Sequence, residues 1–288
     1  MIRRFNTFDI ALYIFLILIS FTMLYPFWEL FIISFMEHEE ARQYGFKFWA
    51  KKFILGNYAH VLKSNAIFTA YKNTIIRTVL GVVFSITLTF MTAYPLAHRK
   101  LPLNKSLTML ITFTMFFSGG LIPTYLLVRS LGLYNKLIAL IFVNLLSPFY
   151  IFLLRNYIRG VPDSLEESAT IDGATHMTIL TRIIMPVCKP IVATLGLWIA
   201  VLHWNAWFDA MIYTPKPALL TLQMYLRNII LQHQVSSVDE VLLDFQEPIL
   251  LESIISVNII LAIGPIVLIY PFIQKYFIRG VFAGSIKG

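Results

Sequence analysis

The stretch that decides the fold is residues 166–186, EESATIDGATHMTILTRIIMP, a polar interruption in the middle of an otherwise apolar chain. Ser164-Leu165-Glu166-Glu167 fits a capping box, which predicts that a short helix begins there. Asp172-Gly173 predicts the turn that ends this helix, because glycine readily adopts the left-handed conformation. A second helical stretch then runs to Pro186, where proline predicts a kink. Taken alone, these residues fit either a small docking surface or an ordinary hairpin that covers helix ends.

The composition of the whole chain is that of a polytopic membrane protein. Of 288 residues, 58% are hydrophobic and only 13% are charged, and the mean hydropathy is +0.74, far more apolar than a soluble domain. The net charge of +8 is scattered among loops without an arginine-rich arm, so nucleic acid is excluded as a partner. Cys188 is the only cysteine and no Cys/His cluster has metal-ligand spacing, so no metal site is predicted.

Six apolar segments are long enough to cross a bilayer. The first is too long for a secretory signal and lacks a small-residue cleavage site, so we interpret it as a retained span. The six predicted transmembrane helices are residues 10–35, 66–97, 107–128, 137–154, 183–213 and 248–270. The predicted fold is therefore all-α. In the predicted domain organisation, residues 1–65 hold the first span and an extracytoplasmic segment, residues 66–275 form the transmembrane core, and residues 276–288 form a cytoplasmic tail.

The distribution of cations predicts the orientation in the membrane. Six spans put both termini on one side, and that face, which starts with Arg3 and Arg4, carries more Lys and Arg than the other. Under the positive-inside rule the richer face is cytoplasmic. Both termini and the 166–186 stretch are therefore predicted to lie in the cytoplasm, and residues 37–65 and 214–247 outside it.

The spacing within the opening stretch resembles the EAA motif of type I ABC-importer permeases. That motif consists of a glutamate, two small residues, three of any kind, glycine, nine of any kind, isoleucine, any residue, leucine and proline. Here it stands as Glu167-Ser168-Ala169, Gly173, Ile183 and Met185-Pro186, with serine and methionine in place of alanine and leucine. The flanking "VPDSLEESATIDGA" and "RIIMPVCKP", and "LHWNAWFDAMIY" at residues 202–213, resemble the carbohydrate-uptake branch. The likeness extends from Asn73-Thr74 to the C-terminal tail.

This resemblance implies a type I ABC importer transmembrane fold in which a coupling helix, at about residues 163–174, docks on a separate cytoplasmic ABC ATPase dimer. The residues expected to serve this coupling are Leu165, Glu166, Glu167, Ser168, Ala169, Asp172 and Gly173, with Ile183 and Pro186 completing the motif. The chain lacks the glycine-rich loop ending in Gly-Lys-Ser/Thr that holds nucleotide phosphates, so ATP and Mg²⁺ are expected in the ATPase and no cofactor on this chain.

The family also implies the other partners and the setting. These are a second homologous permease that forms a heterodimer with this chain, an extracytoplasmic solute-binding protein, and the bilayer of a bacterial cell membrane. The expected substrate is an oligosaccharide moved by alternating access, and "FSGGLIP" at residues 117–123 resembles permeases for alginate or pectin fragments. The glycines of that segment permit either close helix packing or a local unwinding beside the pathway.

The candidate substrate pathway is the aromatic stretch that ends the predicted fifth span. Its residues are Trp204, Asn205, Trp207, Phe208 and Asp209. Helical spacing places Asn205 and Asp209 on one face and Trp204 and Phe208 on the adjoining one. Aromatic rings suit the C–H faces of sugars, and amide or carboxylate groups suit their hydroxyls. Two alternatives stand: the stretch is an interfacial aromatic belt, or only the partner permease contacts the sugar.

Two further features bear on the function class. Arg77 and Glu252 lie in predicted spans, where a charged side chain should face the helix bundle, a water-filled pathway or a partner. Each is expected either to form a structural pair or to act in transport. The alternatives to an ABC permease are a secondary transporter and an integral-membrane enzyme. We find no convincing internal repeat or ion-coupling carboxylate for the first, and for the second the six histidines are dispersed along the chain.

Overall fold

The computed structural model of the protein describes residues 6–41, 43, 45–99, 101–240 and 251–283, and within these ranges it is helical without β-strands. Arg3, Arg4, residues 241–250 and the last five residues of the predicted tail lie outside the described residues. The helices are α1 (Thr7–Ile33), α2 (His38–Ala41), α3 (Gly56–Leu62), α4 (Asn65–Ala97), α5 (Asn104–Phe116), α6 (Leu121–Ser130), α7 (Ala139–Phe142), α8 (Pro148–Ile158), α9 (Ser164–Ile171), α10 (His176–Ile179), α11 (Met185–Val187), α12 (Lys189–Asn205), α13 (Phe208–Tyr213), α14 (Leu222–Glu240) and α15 (Leu251–Ala283). A π-helical turn, Leu180–Ile184, joins α10 to α11, and a 3₁₀ turn, Pro217–Leu219, precedes α14.

Three of these helices are long and apolar enough to cross a membrane: α1, α4 and the Glu252–Ile269 part of α15. Two bent pairs also qualify if each counts as one span, namely α5 with α6, and His176–Val187 with α12. The described residues thus give three spans, or up to five, where the sequence predicts six. The predicted fourth span contains α7 and most of α8 as separate helices. Residues 143–147 separate the two helices, and Pro148 begins α8, where its missing amide costs no helix hydrogen bond.

The glycine segment at residues 117–123 breaks the predicted third span. Helix α5 ends at Phe116, α6 begins at Leu121, and the two are bent by 112°. Between them Gly120 has a φ of 84°, which favours glycine because a Cβ would be strained there. Of the two alternatives that the glycines allow, the structure shows the local unwinding.

Helix α9 lies where the sequence predicts a short helix, but it does not begin with the predicted capping box. Its N-cap is Asp163, which already has helical angles and makes no side-chain cap bond. The backbone carbonyl of Asp163 accepts the Glu167 amide at 3.0 Å, so the Ser164 hydroxyl has no open amide to cap. The capping-box prediction is therefore wrong. The predicted turn is confirmed, since Gly173 has a φ of 79° directly after the helix.

The chain from α10 to α12 is helical but sharply bent. Thr175 caps α10 by accepting the Thr178 amide at 3.3 Å. The axis then turns by 82° between Val187 and Lys189, just after the proline at which a kink is predicted. Cys188, at the bend, is fully buried.

The described residues fall into two compact units. The first comprises Met1–Phe68 and Tyr225–Pro265, and its small core holds Ile32 and Met36. In the second, which comprises Thr69–Met224 and Ile266–Gly288, the main core is drawn from α4, α8 and α9 to α12. The largest side chains of that core with under 2% exposure are Phe90, Leu154, Ile179, Ile184 and Leu195. This core holds α9 against the C-terminal ends of α4 and α8.

Candidate functional site

Helix α9 presents a mixed polar and apolar surface. Ala169 is buried and packs in the core, which anchors the helix. Its other face is exposed: Leu165 is 42% exposed and Ile171 is 86% exposed, and Glu167, Ser168, Asp172 and Gly173 are exposed as well. Two apolar side chains of this size beside a carboxylate form a surface suited to a protein partner.

Glu166, predicted to face the ATPase, instead points back toward α4. Its Oε2 atom lies 2.7 Å from Nε2 of His98 and accepts a hydrogen bond of 3.3 Å from the Tyr94 hydroxyl. Of the residues predicted for the docking contact, Glu166 and Ala169 thus face inward. Ile183 and Met185 of the motif are half-buried against the same core, whereas Pro186 is exposed.

A cavity of about 550 Å³ lies in the second unit, between the unwound segment that follows α5 and the segment that joins α12 to α13. Its lining comprises Ser118, Gly120, Leu121, Thr124, Val143, Asn144, Leu202, Asn205, Ala206, Trp207, Phe208, Asp209, Ile212 and Tyr213. Four of the five predicted pathway residues are therefore part of one cavity wall. The fifth, Trp204, is buried, with its ring 6.5 Å from that of Tyr71.

The pathway residues do not lie on one continuous helix, so the spacing argument that placed them is wrong. Helix α12 ends at Asn205 and α13 begins at Phe208. Between them the backbone of Ala206 is extended, with φ −76° and ψ 126°. This break frees backbone carbonyls at the end of α12, which need other partners in a dry environment.

Arg77 of α4 fills that need. Its side chain is fully buried, and its Nη1 donates to the Ala206 carbonyl at 3.2 Å and to Oδ1 of Asp209 at 3.2 Å. Its Nη2 pairs with Oδ2 of Asp209, and its Nε donates to Nδ1 of His203 at 3.3 Å. One guanidinium therefore joins the end of α12 to the start of α13. Of the two alternatives for Arg77, a structural pair or a role in transport, the geometry shows the structural pair.

A glycine lets α12 approach α4 beside this pair. A Cβ added at Gly81 would overlap the imidazole of His203. The ring therefore lies against the bare backbone of α4, in the position from which it accepts the Arg77 hydrogen bond. Gly81 fixes the distance between the two helices at the level of the break.

Sequence reasoning missed His98, Tyr94, Ile171 and Gly81 as residues of these sites. A large apolar side chain next to the polar Asp172-Gly173 turn was a usable signal for Ile171. The pairing of His98 with Glu166 had no signal in the chain, because 68 residues separate them.

The comparisons with known proteins agree on the family. The profile described as "Binding-protein-dependent transport system inner membrane component" matches residues 64–283. The Bacillus subtilis polygalacturonan/rhamnogalacturonan transport system permease protein YtcP is 34% identical and aligns over 98% of both chains. Protein LplC of the same organism is 35% identical over 98% of this chain and 96% of its own.

Solved structures show the same architecture. A chain of a bacterial ABC transporter involved in the import of the acidic polysaccharide alginate superposes with a TM-score of 0.85 at 30% identity, covering 94% of this chain and 96% of that one. A chain of a bacterial alginate ABC transporter, in complex with a periplasmic protein bound to alginate pentasaccharide, superposes with a TM-score of 0.58 at 16% identity, covering 93% of each. The second likeness concerns the fold alone. The chain therefore belongs to the family of binding-protein-dependent transport system inner membrane components, the non-enzymatic permease subunits of bacterial ABC transporters.

Proposed function

We propose that this permease imports an oligosaccharide of the uronic-acid class by alternating access. The cavity beside the α12–α13 break carries the proposal. Its volume of about 550 Å³ is within the range of ligand sites, and it combines exposed aromatic rings with amides. Such a wall suits sugars, which stack their C–H faces on rings and hydrogen-bond through hydroxyls. The relatives that handle polygalacturonan and alginate support the choice of class.

Within the cavity, we assign sugar contact to Asn205, Trp207 and Phe208 rather than to Asp209. Both carboxylate oxygens of Asp209 are engaged by Arg77, and Oδ1 also accepts the Ala210 amide at 2.8 Å. Asp209 is thus a fixed internal partner with little free acceptor capacity. Asn144, which lies within 3.5 Å of Oδ2 of Asp209, adds a second amide to the same wall.

The exposed face of α9 is the proposed contact with a cytoplasmic ABC ATPase dimer that binds ATP and Mg²⁺. Leu165 and Ile171 supply the apolar contact, Glu167 supplies charge, and the left-handed Gly173 ends the helix abruptly. Closure of the ATPase on ATP would shift α9, and through the shared core it would shift α4 and α12. The nucleotide drives transport because the ATPase binds it unequally in the two states.

The remaining parts of the proposed assembly follow the family. A second homologous permease completes a heterodimer, and an extracytoplasmic solute-binding protein delivers the sugar over residues 37–65 and 214–247. We keep the six-span topology as part of the proposal, with α7 and α8 as a broken fourth span. Both termini and α9 then lie in the cytoplasm.

The test of transport uses the full complex in proteoliposomes, with its ATPase, partner permease and binding protein. Trigalacturonate accumulation that needs ATP and the binding protein is the expected result. Accumulation that continues without ATP contradicts the mechanism. Accumulation of neutral maltotriose but not of trigalacturonate contradicts the substrate class.

The test of the α9 contact is E167R, which reverses a charge on the exposed face. We expect ATP hydrolysis to lose its stimulation by the sugar-loaded binding protein, while the subunit still inserts and purifies. The matched control is T181R, which adds the same side chain at an exposed position outside α9. Parental stimulation in E167R, or an equal loss in T181R, contradicts the assignment.

A further inference from the structure

The cytoplasmic end of α4 is joined to α9 by a small set of polar side chains. We call Tyr94, His98, Arg159 and Glu166 the α4–α9 junction. One carboxylate oxygen of Glu166 accepts from the Tyr94 hydroxyl of α4 at 3.3 Å and from His98, the residue directly after α4, at 2.7 Å. Arg159, just after α8, donates to the Ala97 carbonyl at 3.2 Å and the Leu96 carbonyl at 3.2 Å. The junction therefore provides hydrogen-bond donors for the last backbone carbonyls of α4 and holds the start of α9 against this end.

The geometry of His98 requires a charged ring. Its Nδ1 lies 2.9 Å from the Tyr94 carbonyl oxygen, and its Nε2 lies 2.7 Å from the Glu166 carboxylate. Both partners are acceptors, so both ring nitrogens must carry a proton to donate, and only the imidazolium does so. A neutral ring in this position loses one of the two bonds, whichever tautomer it takes.

The charges around His98 favour that form. Burial lowers the pKa of His98, but the hydrogen bonds to Glu166 and the Tyr94 carbonyl and the charges of Glu166 and Asp163 outweigh burial, so its pKa is raised above 6.5. Arg159 is engaged by the α4 carbonyls. His176 of α10 and His98 line a second cavity, separate from the one beside the α12–α13 break. Because the pKa of His98 is raised, its ion pair with Glu166 is complete below about pH 6.5 and is lost as the pH rises through the raised pKa.

We propose that His98 is a positioning residue that locks α9 to the end of α4 through Glu166, so that a push on α9 reaches α4 instead of being absorbed between them. The inference rests on the proposed role of α9 as the ATPase contact. Glu166 makes the link between α9 and α4, because its side chain points toward α4 and not toward the exposed docking face. The coupling efficiency, taken as sugar imported per ATP hydrolysed, should then depend on the charge of His98.

The experiment measures this ratio in proteoliposomes containing the full complex, with trigalacturonate as the probe, from about pH 6 to about pH 8.5. In the parental protein we expect the ratio to fall by about two- to fivefold over this range, as suits a partly exposed ion pair. H98Q should give the low ratio at every pH, and H98K, which keeps a cation, should restore a high ratio that no longer varies. H98Q/E166Q should match H98Q, because the link is already broken.

The matched control is H176Q, which removes the other histidine of the cavity and should keep the parental profile. A parental profile in H98Q, or the same loss in H176Q, overturns the inference. Purification yield and thermal midpoint show whether each variant folds. The two proposals can fail separately. If E167R leaves ATPase stimulation intact, the docking role of α9 is wrong. If E167R uncouples the complex but H98Q keeps parental coupling, only the role of His98 is wrong.

Discussion

Replacing Arg77 with methionine should be among the most damaging single changes in the second unit. The side chain is fully buried and donates to His203, the Ala206 carbonyl and Asp209. R77M leaves the Asp209 carboxylate with only the Ala210 amide at 2.8 Å and Asn144 at 3.5 Å. A buried charge is then uncompensated and a helix-end carbonyl is unpaired.

The magnitude follows from what each substitution leaves behind. Breaking a buried pair by removing one partner costs about 3–5 kcal/mol, so R77M should lower the free energy of unfolding by that amount. D209N keeps an acceptor oxygen for Arg77 and should cost less, about 1.5–3 kcal/mol, the range for a hydrogen bond to a charged group. R77M/D209N contains no buried charge at the site. Its cost should therefore fall short of the sum by about 0.5–3 kcal/mol.

The assay is reversible unfolding of the purified permease in mixed micelles with increasing SDS, followed by tryptophan fluorescence, with sugar uptake measured in parallel. The matched control is K72M, which removes an exposed cation from the same helix and should change stability by less than about 0.5 kcal/mol. Costs in R77M and D209N that add in the double variant would refute a direct pair. A change in R77M no larger than in K72M would refute the clamp on the α12–α13 break.

Two more predictions concern the packing of α12 on α4 and the cavity beside the α12–α13 break. G81A puts a Cβ into the His203 imidazole and should lower the free energy of unfolding by about 1–3 kcal/mol through overpacking. The control is G264A, whose Cβ meets nothing within 4 Å and should cost no stability. The same SDS titration compares the two variants, and equal costs would contradict the close approach of His203 to Gly81. W207A should raise the KM for trigalacturonate import up to about tenfold, if the proposed stacking of this ring on sugar contributes as much as one aromatic pair, about 0.5–1.5 kcal/mol. W204A, at a buried ring outside the lining, should reduce folded yield with an unchanged KM, and a KM effect confined to W204A would reverse the assignment.

Much of the architecture could be predicted from local chemistry. The turn at Gly173 and the break at Gly120 follow from glycine conformations that other residues rarely adopt. The need of Arg77 for a partner follows from the cost of a charge among apolar helices. Family membership also removes the secondary-transporter and membrane-enzyme alternatives.

What the sequence could not predict depends on contacts between distant segments. The α12–α13 break has no proline or glycine at residues 206–207, and it persists because Arg77, far away in the chain, binds the freed carbonyl. The helical-spacing argument assumed continuity and so misplaced Trp204. The predicted capping box is absent because helical backbone angles already begin at Asp163, one residue before the predicted N-cap Ser164. The same limit applies to Glu166, whose direction is set by His98.

The burial of Cys188 has a practical consequence for spectroscopy. It is the single thiol of the chain and has 0% exposure, so a maleimide dye has no accessible native target in the folded subunit. A cysteine in place of Ile171, which is 86% exposed, would take the label alone, without any need to remove the native thiol. Because Ile171 lies on the proposed ATPase contact, a change in the fluorescence of this label when the ATPase is added would support that contact.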